Sequence, residues 1–91
     1  MSNKILNLLG KFVLVSNVPA LVIDERGNNV LIRRAADTAI IHKDFLTEIS
    51  STSNLQLYRQ LIEAELNFAI EHQLVSRIFF WENKLKEINQ H

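Results

Sequence analysis

Short apolar runs separated by turn residues dominate the first half of the chain. Residues 12–15, 20–23 and 30–32 consist entirely of Val, Leu, Ile, Phe and Ala, and Gly27 with two following Asn residues separates the second run from the third. Such runs predict β-strands, and the Gly-Asn pair predicts a hairpin centred on Gly27. Because the runs are continuously apolar rather than alternating, we expect both faces of these strands to be covered, for example by a helix or by another subunit.

The segment from Asp37 to Ile49 supports two interpretations. In the first, Asp37 caps a helix whose apolar face carries Ile41, Phe45 and Ile49. In the second, residues 38–41 form a further strand. The apolar spacing makes the helix our first interpretation.

From Ser53 onward the apolar positions recur at helical spacing, and neither Gly nor Pro interrupts them. Ser53 and Gln56 fit a capping box at the start of this segment. The apolar stripe changes phase around residues 71–73, where Ser76 could cap a second helix. We expect a helical hairpin, since a single helix of about 55 Å, at 1.5 Å per residue, would overhang so small a sheet. The stripe consists of Leu57, Leu61, Ala64, Phe68, Ile70, Leu74, Ile78, Trp81, Leu85 and Ile88.

These elements predict an α+β fold in one domain, residues 1–91, with a strand-rich part at 1–52 and a helical part at 53–91. A small antiparallel sheet of three to four strands is expected to be packed by a C-terminal helix or helical hairpin. A short opening helix from Ser2 or Asn3 would run through Leu9. The predicted core consists of Phe12, Leu14, Leu21, Ile23, Leu31, Phe45, Leu61, Phe68, Ile78, Trp81 and Leu85.

The stretch Ile78-Phe79-Phe80-Trp81 is the most informative part of the predicted helices. Successive helical residues point about 100° apart, so four in a row sweep about 300° of the helix surface. One amphipathic face cannot bury all four, and the segment is either a central core helix or is exposed in part to a second chain. Large aromatic side chains are the usual anchors of such contacts. The residues predicted to form a protein interface are Leu74, Val75, Phe79, Phe80 and Trp81.

The charge balance argues against general nucleic-acid binding. Ten Lys and Arg residues equal ten Asp and Glu residues, so the formal net charge is zero, whereas phosphate binding needs an excess of cations. Arg26, Arg33 and Arg34 on the predicted hairpin form a basic ribbon that could enter a groove, which makes nucleic-acid binding an alternative. The strand-rich part holds six Lys or Arg residues against five Asp or Glu residues, so this alternative ranks below protein binding.

Catalytic and metal-binding patterns are sparse. The chain has no Cys, which excludes thiol nucleophiles, disulfide scaffolds and zinc ribbons. His42 and Asp44 lie two residues apart with only Glu48 as a candidate third ligand, and His72 falls in a polar turn. We therefore predict no enzyme activity, metal or cofactor, with a small enzyme or ligand binder as a third alternative. The lack of Cys, of an export signal and of a bilayer-length apolar segment indicates a cytoplasmic protein that does not act at a membrane.

Two partial resemblances both favour a small protein that acts by binding other proteins. Residues 66–88 resemble the helical-hairpin interaction motif called UVR, shared by nucleotide-excision-repair proteins and protease adaptors. This chain departs from the motif at two places. The acidic–aromatic–acidic turn of the motif is replaced by Gln73-Leu74-Val75, and its Arg-Asp pair is replaced by Glu82-Asn83. The order of elements is similar to the PipX family of small cyanobacterial transcription coactivators, which bind the PII signalling protein. The matching positions are Leu66, Ala69, Ile70, Glu71 and 84–88 for the first, and 24–27 and 55–61 for the second.

The functional prediction is a small non-enzymatic protein-interaction protein, of the kind that includes regulators, inhibitors, immunity factors and adaptors. The chain carries more apolar surface than one domain of this size is expected to bury. We therefore expect it to bind another protein or itself, as a homodimer through the aromatic C-terminal helix.

Overall fold

A computed structural model describes residues 8–89, which form a five-stranded antiparallel sheet followed by two helices. The predicted α+β fold is confirmed, with five strands in the sheet where three to four were expected. The opening helix predicted before Gly10 lies largely outside the described residues. The elements are β1 (Phe12–Val15), β2 (Val18–Arg26), β3 (Asn29–Arg33), β4 (Thr38–His42), β5 (Thr47–Glu48), α1 (Leu55–Glu71) and α2 (Val75–Asn89).

Two tight turns order the first three strands. Ser16 and Asn17 connect β1 to β2 with φ values of 51° and 66°, the left-handed pair that a type I′ hairpin turn requires. Gly27 and Asn28 connect β2 to β3. Gly27 has a φ of 61°, which glycine adopts without the steric cost that other residues meet. The hairpin predicted at Gly27 is thereby confirmed.

Residues 38–42 form β4, so the helix predicted to start at Asp37 is wrong and the alternative strand is correct. Arg34 donates from Nε and Nη2 to the two carboxylate oxygens of Asp37 at 2.7 and 2.8 Å. This carboxylate is therefore engaged and does not cap a helix. Burial along β4 alternates, with Ala39 and Ile41 packed inward and the residues between them exposed. This period of two is that of a strand.

A four-residue link joins the two edges of the sheet and forces the sheet to curl. The strand order is β4-β3-β2-β1-β5, so β4 and β5 lie at opposite edges although only residues 43–46 separate them. A flat sheet would hold these edges about 19 Å apart, four times the roughly 4.8 Å strand spacing. The link contains the 3₁₀ turn Lys43–Phe45 and covers only about 13 Å, at about 2 Å per 3₁₀ residue and about 3.4 Å per extended one. The sheet therefore closes partly on itself, as an open barrel.

Curling explains why the strands are apolar on both faces. Val13, Ala20, Val22 and Ile32 are fully buried on the concave face, in a cluster that contains no residue of α1 or α2 among those the structure describes. The opposite face of the sheet packs against the helices. Both faces are thus covered within one chain, and the strand pattern does not require a second subunit.

The helical hairpin and the sheet together bury the larger core cluster, which joins Phe12, Leu21 and Ile23 to Tyr58, Leu61, Ile62, Trp81 and Ile88. The core prediction is confirmed at Phe12, Leu21, Ile23, Leu61 and Trp81. Half-buried positions are Leu14, Leu31, Ile78 and Leu85. The core prediction is wrong for Phe45 and Phe68, which are 70% and 41% exposed. Phe45 leaves the core because its segment is a 3₁₀ turn rather than the third turn of an amphipathic helix.

The C-terminal half is a helical hairpin, as expected. Asn54 caps α1 by accepting a hydrogen bond from the Leu57 amide at 3.2 Å, one residue later than the predicted cap, Ser53. Ser76, the predicted cap of the second helix, is the second residue of α2. Within residues 8–89 no helix combines the length and the apolar character needed to cross a bilayer.

A buried contact joins both helices to the segment before β1. The Tyr58 hydroxyl donates to the Gly10 carbonyl at 2.7 Å. Gly10 has a φ of 84°, and a Cβ atom added there would lie 2.7 Å from Lys84 Cε and 3.0 Å from Phe80 Cζ. Backbone conformation and the close approach of α2 therefore both require glycine at this position.

Candidate protein-interaction surface at the helical turn

The turn between α1 and α2 is built from a Schellman motif. The Leu74 amide donates to the Ala69 carbonyl at 2.9 Å, and the Gln73 amide donates to the Ile70 carbonyl at 3.2 Å. Gln73 has a φ of 58°, the left-handed conformation that this motif places just after a helix and that glycine usually supplies. The second helix follows at once, so the reversal is tight and the ends of both helices meet in one small region.

Five large apolar side chains are exposed around this turn, and we call them the apolar tip. All lie within six residues of Gln73, which is about 9 Å along a helix axis at 1.5 Å per residue. Exposed apolar groups that are concentrated in one region mark interaction surfaces more often than isolated ones do. The apolar tip consists of Phe68, Ile70, Leu74, Val75 and Phe79, which are 41%, 50%, 36%, 61% and 62% exposed.

Helix geometry explains why these side chains are not in the core. On α2 the buried residues are Trp81 and Ile88. Phe79 precedes Trp81 by two residues, which turns its side chain about 200° away from the core. On α1, Phe68 and Ile70 are likewise about 200° apart, so they flank the buried face on opposite sides. The tip is therefore apolar on several sides.

The structure separates the five predicted interface residues into two groups. Leu74, Val75 and Phe79 are exposed and belong to the apolar tip. Phe80 is half-buried, with its ring centroid 4.8 Å from that of Trp81 in an edge-on arrangement. Trp81 is 1% exposed, so it supports α2 from inside, whereas Phe80 keeps part of its ring in solvent.

Two members of the apolar tip, Phe68 and Ile70, are not among the predicted interface residues. The sequence pattern places both in the apolar helical stripe and predicts Phe68 to lie in the core. The signal that could have found them is the run from Glu71 to Gln73, because a polar turn places the apolar residues just before it at the end of the hairpin. His72 belongs to this turn as well: its ring lies 4.2 Å from the Phe68 ring, centroid to centroid.

Each of the three arginines of the nucleic-acid alternative is held by a carboxylate of its own chain. Arg26 pairs with Asp24 at 3.1 Å. Arg33 on β3 pairs through Nε with Glu65 on α1, and Glu65 is only 3% exposed. These two arginines are therefore partly neutralised, which lowers their value as phosphate ligands.

Arg34 is the third of these residues. Its hydrogen bonds to Asp37 hold the pKa of that carboxyl below its usual value. Replacing such an internal, bidentate partner by a phosphate would leave the carboxylate exposed beside a second anion.

The residues of the enzyme or ligand-binding alternative do not converge. His42 Nδ1 accepts a hydrogen bond from the Asp44 amide at 3.0 Å, which caps the 3₁₀ turn after β4. A groove of about 280 Å³ beside the first turn of α2 is lined in part by Asp24 and Arg77, and none of His42, Asp44 or His72 lines it. Among residues 8–89, no three His, Asp or Glu side chains are grouped so as to hold a metal ion.

Comparisons with known proteins give no match. No protein-family model matches the chain, and neither the curated proteins nor the solved structures contain a significant relative. The two resemblances noted in the sequence are therefore not supported by these comparisons, and the geometry of the apolar tip is the basis for a function.

Proposed function

We propose that this chain is a non-enzymatic protein-interaction protein that self-associates through the apolar tip. The observation that carries the proposal is the concentration of exposed large apolar side chains at one end of the molecule, with Val75 and Phe79 each more than 60% exposed. Burying such side chains against a partner removes apolar area from water, at about 25 cal/mol per Å².

The way the tip is held also supports a role in recognition. The hydrogen bonds of the Schellman motif define the reversal at Gln73, and the buried Trp81 side chain anchors α2 to the core. Binding at a preformed surface costs less conformational entropy than binding that must first order a loop. The tip therefore presents Phe79 from a packed helix, and large aromatic side chains are the kind that contribute most to interface energies.

Light scattering and sedimentation over a range of concentrations test this proposal. The wild-type chain is expected to associate at tens of micromolar, and Phe79→Ser combined with Val75→Ser is expected to shift it to monomer. Ile40→Ser is the matched control, because Ile40 is 72% exposed but lies on β4, away from the tip. A wild-type chain that stays monomeric over this range would contradict the proposal, as would association that the control abolishes and the tip variant leaves intact.

A further inference from the structure

The solvent-facing side of α2 carries one stripe that begins at the apolar tip and ends in charges. Its members are spaced four, three and four residues apart, which keeps them on one side of a helix. All are exposed, and they lie opposite the buried Trp81. The stripe consists of Val75, Phe79, Glu82 and Lys86.

The charges that remain available to a partner are concentrated on the helical hairpin. In the described part of the chain, carboxylates of the sheet form ion pairs with Lys, Arg or His side chains, as Glu48 does with Lys11 and Glu25 with Lys43. Among residues 8–89, the charged side chains that form no ion pair with another described residue are three of each sign, so the hairpin carries balanced charges. They are Glu63, Glu71, Glu82 and Lys86, which are exposed, and Arg59 and Arg77, which are half-buried.

The relative orientation of the two α2 helices decides whether their charges attract or repel each other. Suppose two copies pack α2 against α2 with Phe79 on the twofold axis. In the antiparallel orientation each residue faces the one equally far on the other side of Phe79. Glu82 then faces Ser76. Lys86 lies about 4.5 Å beyond the first residue of the second copy's α2, at 1.5 Å per residue, and therefore over the turn where α1 ends at the exposed Glu71. No like charges meet along the stripe, and the two helix dipoles oppose each other favourably.

A parallel orientation places identical residues opposite each other. Glu82 would face Glu82 of the second copy, and Lys86 would face Lys86, which is repulsive at both positions. We propose, on the basis of the self-association proposed above, that a second copy docks antiparallel along the α2 stripe and that Lys86 and Glu71 set the orientation. A symmetric interface of this kind is self-complementary and closes as a dimer.

The expected affinity follows from the size of the contact. Helix α2 has 15 residues and is therefore about 22 Å long at 1.5 Å per residue. One helix pair of this length, with apolar groups only near its middle, gives an interface at the small end of the known range. We therefore expect a reversible dimer with a micromolar dissociation constant rather than an obligate one.

Charge reversal measured by sedimentation equilibrium tests the orientation. Lys86→Glu replaces two attractive pairs in each dimer by two like-charged pairs. Because one exposed ion pair strengthens association by at most about fivefold, we expect this variant to weaken association about tenfold. Glu71→Lys should weaken it similarly, and the double variant should restore it. Glu63→Lys is the control, with the same charge change on the exposed side of α1 and no charge opposite it. Single and double variants that all associate like the wild type would overturn the proposal.

Disulfide trapping provides a second, independent readout, because the natural chain contains no Cys. A mixture of Val75→Cys and Asn83→Cys chains is expected to form a mixed disulfide, since these positions face each other in the antiparallel dimer and a disulfide needs Cα atoms within about 7 Å. Asn83→Cys alone would crosslink efficiently only in a parallel dimer, and that result would overturn the orientation. A monomeric wild type refutes the proposed function itself, whereas a dimer with the wrong crosslinks refutes only this inference.

Discussion

Substituting Gly10 by Ala tests how closely the helices approach the start of the sheet. The φ of 84° is costly for any residue with a Cβ, by about 1–2 kcal/mol. The new methyl group would also lie 3.0 Å from Phe80 Cζ and 2.7 Å from Lys84 Cε. The flexible lysine can move away, but the half-buried ring cannot do so freely, and overpacking of this kind costs about 1–3 kcal/mol. We expect a total loss of about 2–5 kcal/mol, a large part of the roughly 5–15 kcal/mol that stabilises a typical domain.

Gly27→Ala is the matched control for this substitution. Gly27 also has a positive φ, 61°, but no atom lies within 4 Å of a Cβ built there. Its replacement should therefore cost only the backbone strain, about 1–2 kcal/mol. Urea unfolding followed by the fluorescence of Trp81, the only Trp in the chain, measures both losses. Equal losses for the two variants would refute the close approach of α2 to Gly10.

Two further predictions concern Tyr58 and Gln73. Burial, and to a smaller extent the negative charge of Glu87, raises the pKa of Tyr58 above its usual value. Stability should therefore be complete below about pH 10, where an unfolded tyrosine ionises, and should fall as the pH rises through the higher folded-state pKa. Tyr58→Phe should remove this loss of stability at alkaline pH. At neutral pH it should lower the free energy of unfolding by about 1–2 kcal/mol, because the Gly10 carbonyl loses its hydrogen-bond donor. If urea unfolding gives the variant the stability of the wild type at both neutral and alkaline pH, this prediction is wrong. Gln73→Gly should raise the free energy of unfolding by about 0.5–1 kcal/mol, because glycine adopts the left-handed conformation without strain. Gln60→Gly, in the exposed interior of α1, should instead lower it by about 1 kcal/mol, and a loss at both positions would show that position 73 is not strained.

The elements set by local chemistry were predictable. Gly27 followed by Asn specifies a hairpin through backbone sterics, and the 3.6-residue period after Ser53 specifies helices whatever they pack against. The break at residues 71–73 was visible as a change of phase. The candidate site was predicted in part, because Leu74, Val75 and Phe79 follow from the surplus of apolar residues near that break.

Other features depended on side-chain contacts that the pattern of apolar and polar residues does not show. Asp37 reads as a helix cap until its carboxylate is seen bound to Arg34, and the spacing of Ile41 and Phe45 fits both a helix and a strand followed by a turn. Likewise, Glu65 looks like an ordinary helix-surface residue, and only its pairing with Arg33 across the core explains its burial. Short segments carry too little periodic information to choose between such alternatives.

By itself, the amino-acid sequence determined an α+β chain with a glycine hairpin, a C-terminal helical hairpin and an aromatic segment too broad for one helix face. Tertiary structure alone decided which aromatics remain outside. The link of four residues between β4 and β5 curls the sheet, so that the strands bury their second face without a partner. The helices then need to cover only the remaining face, which takes in Trp81 and leaves Phe79 in solvent. The physical reason is that burial depends on how elements close around each other, and that closure is a property of the whole chain rather than of any local pattern.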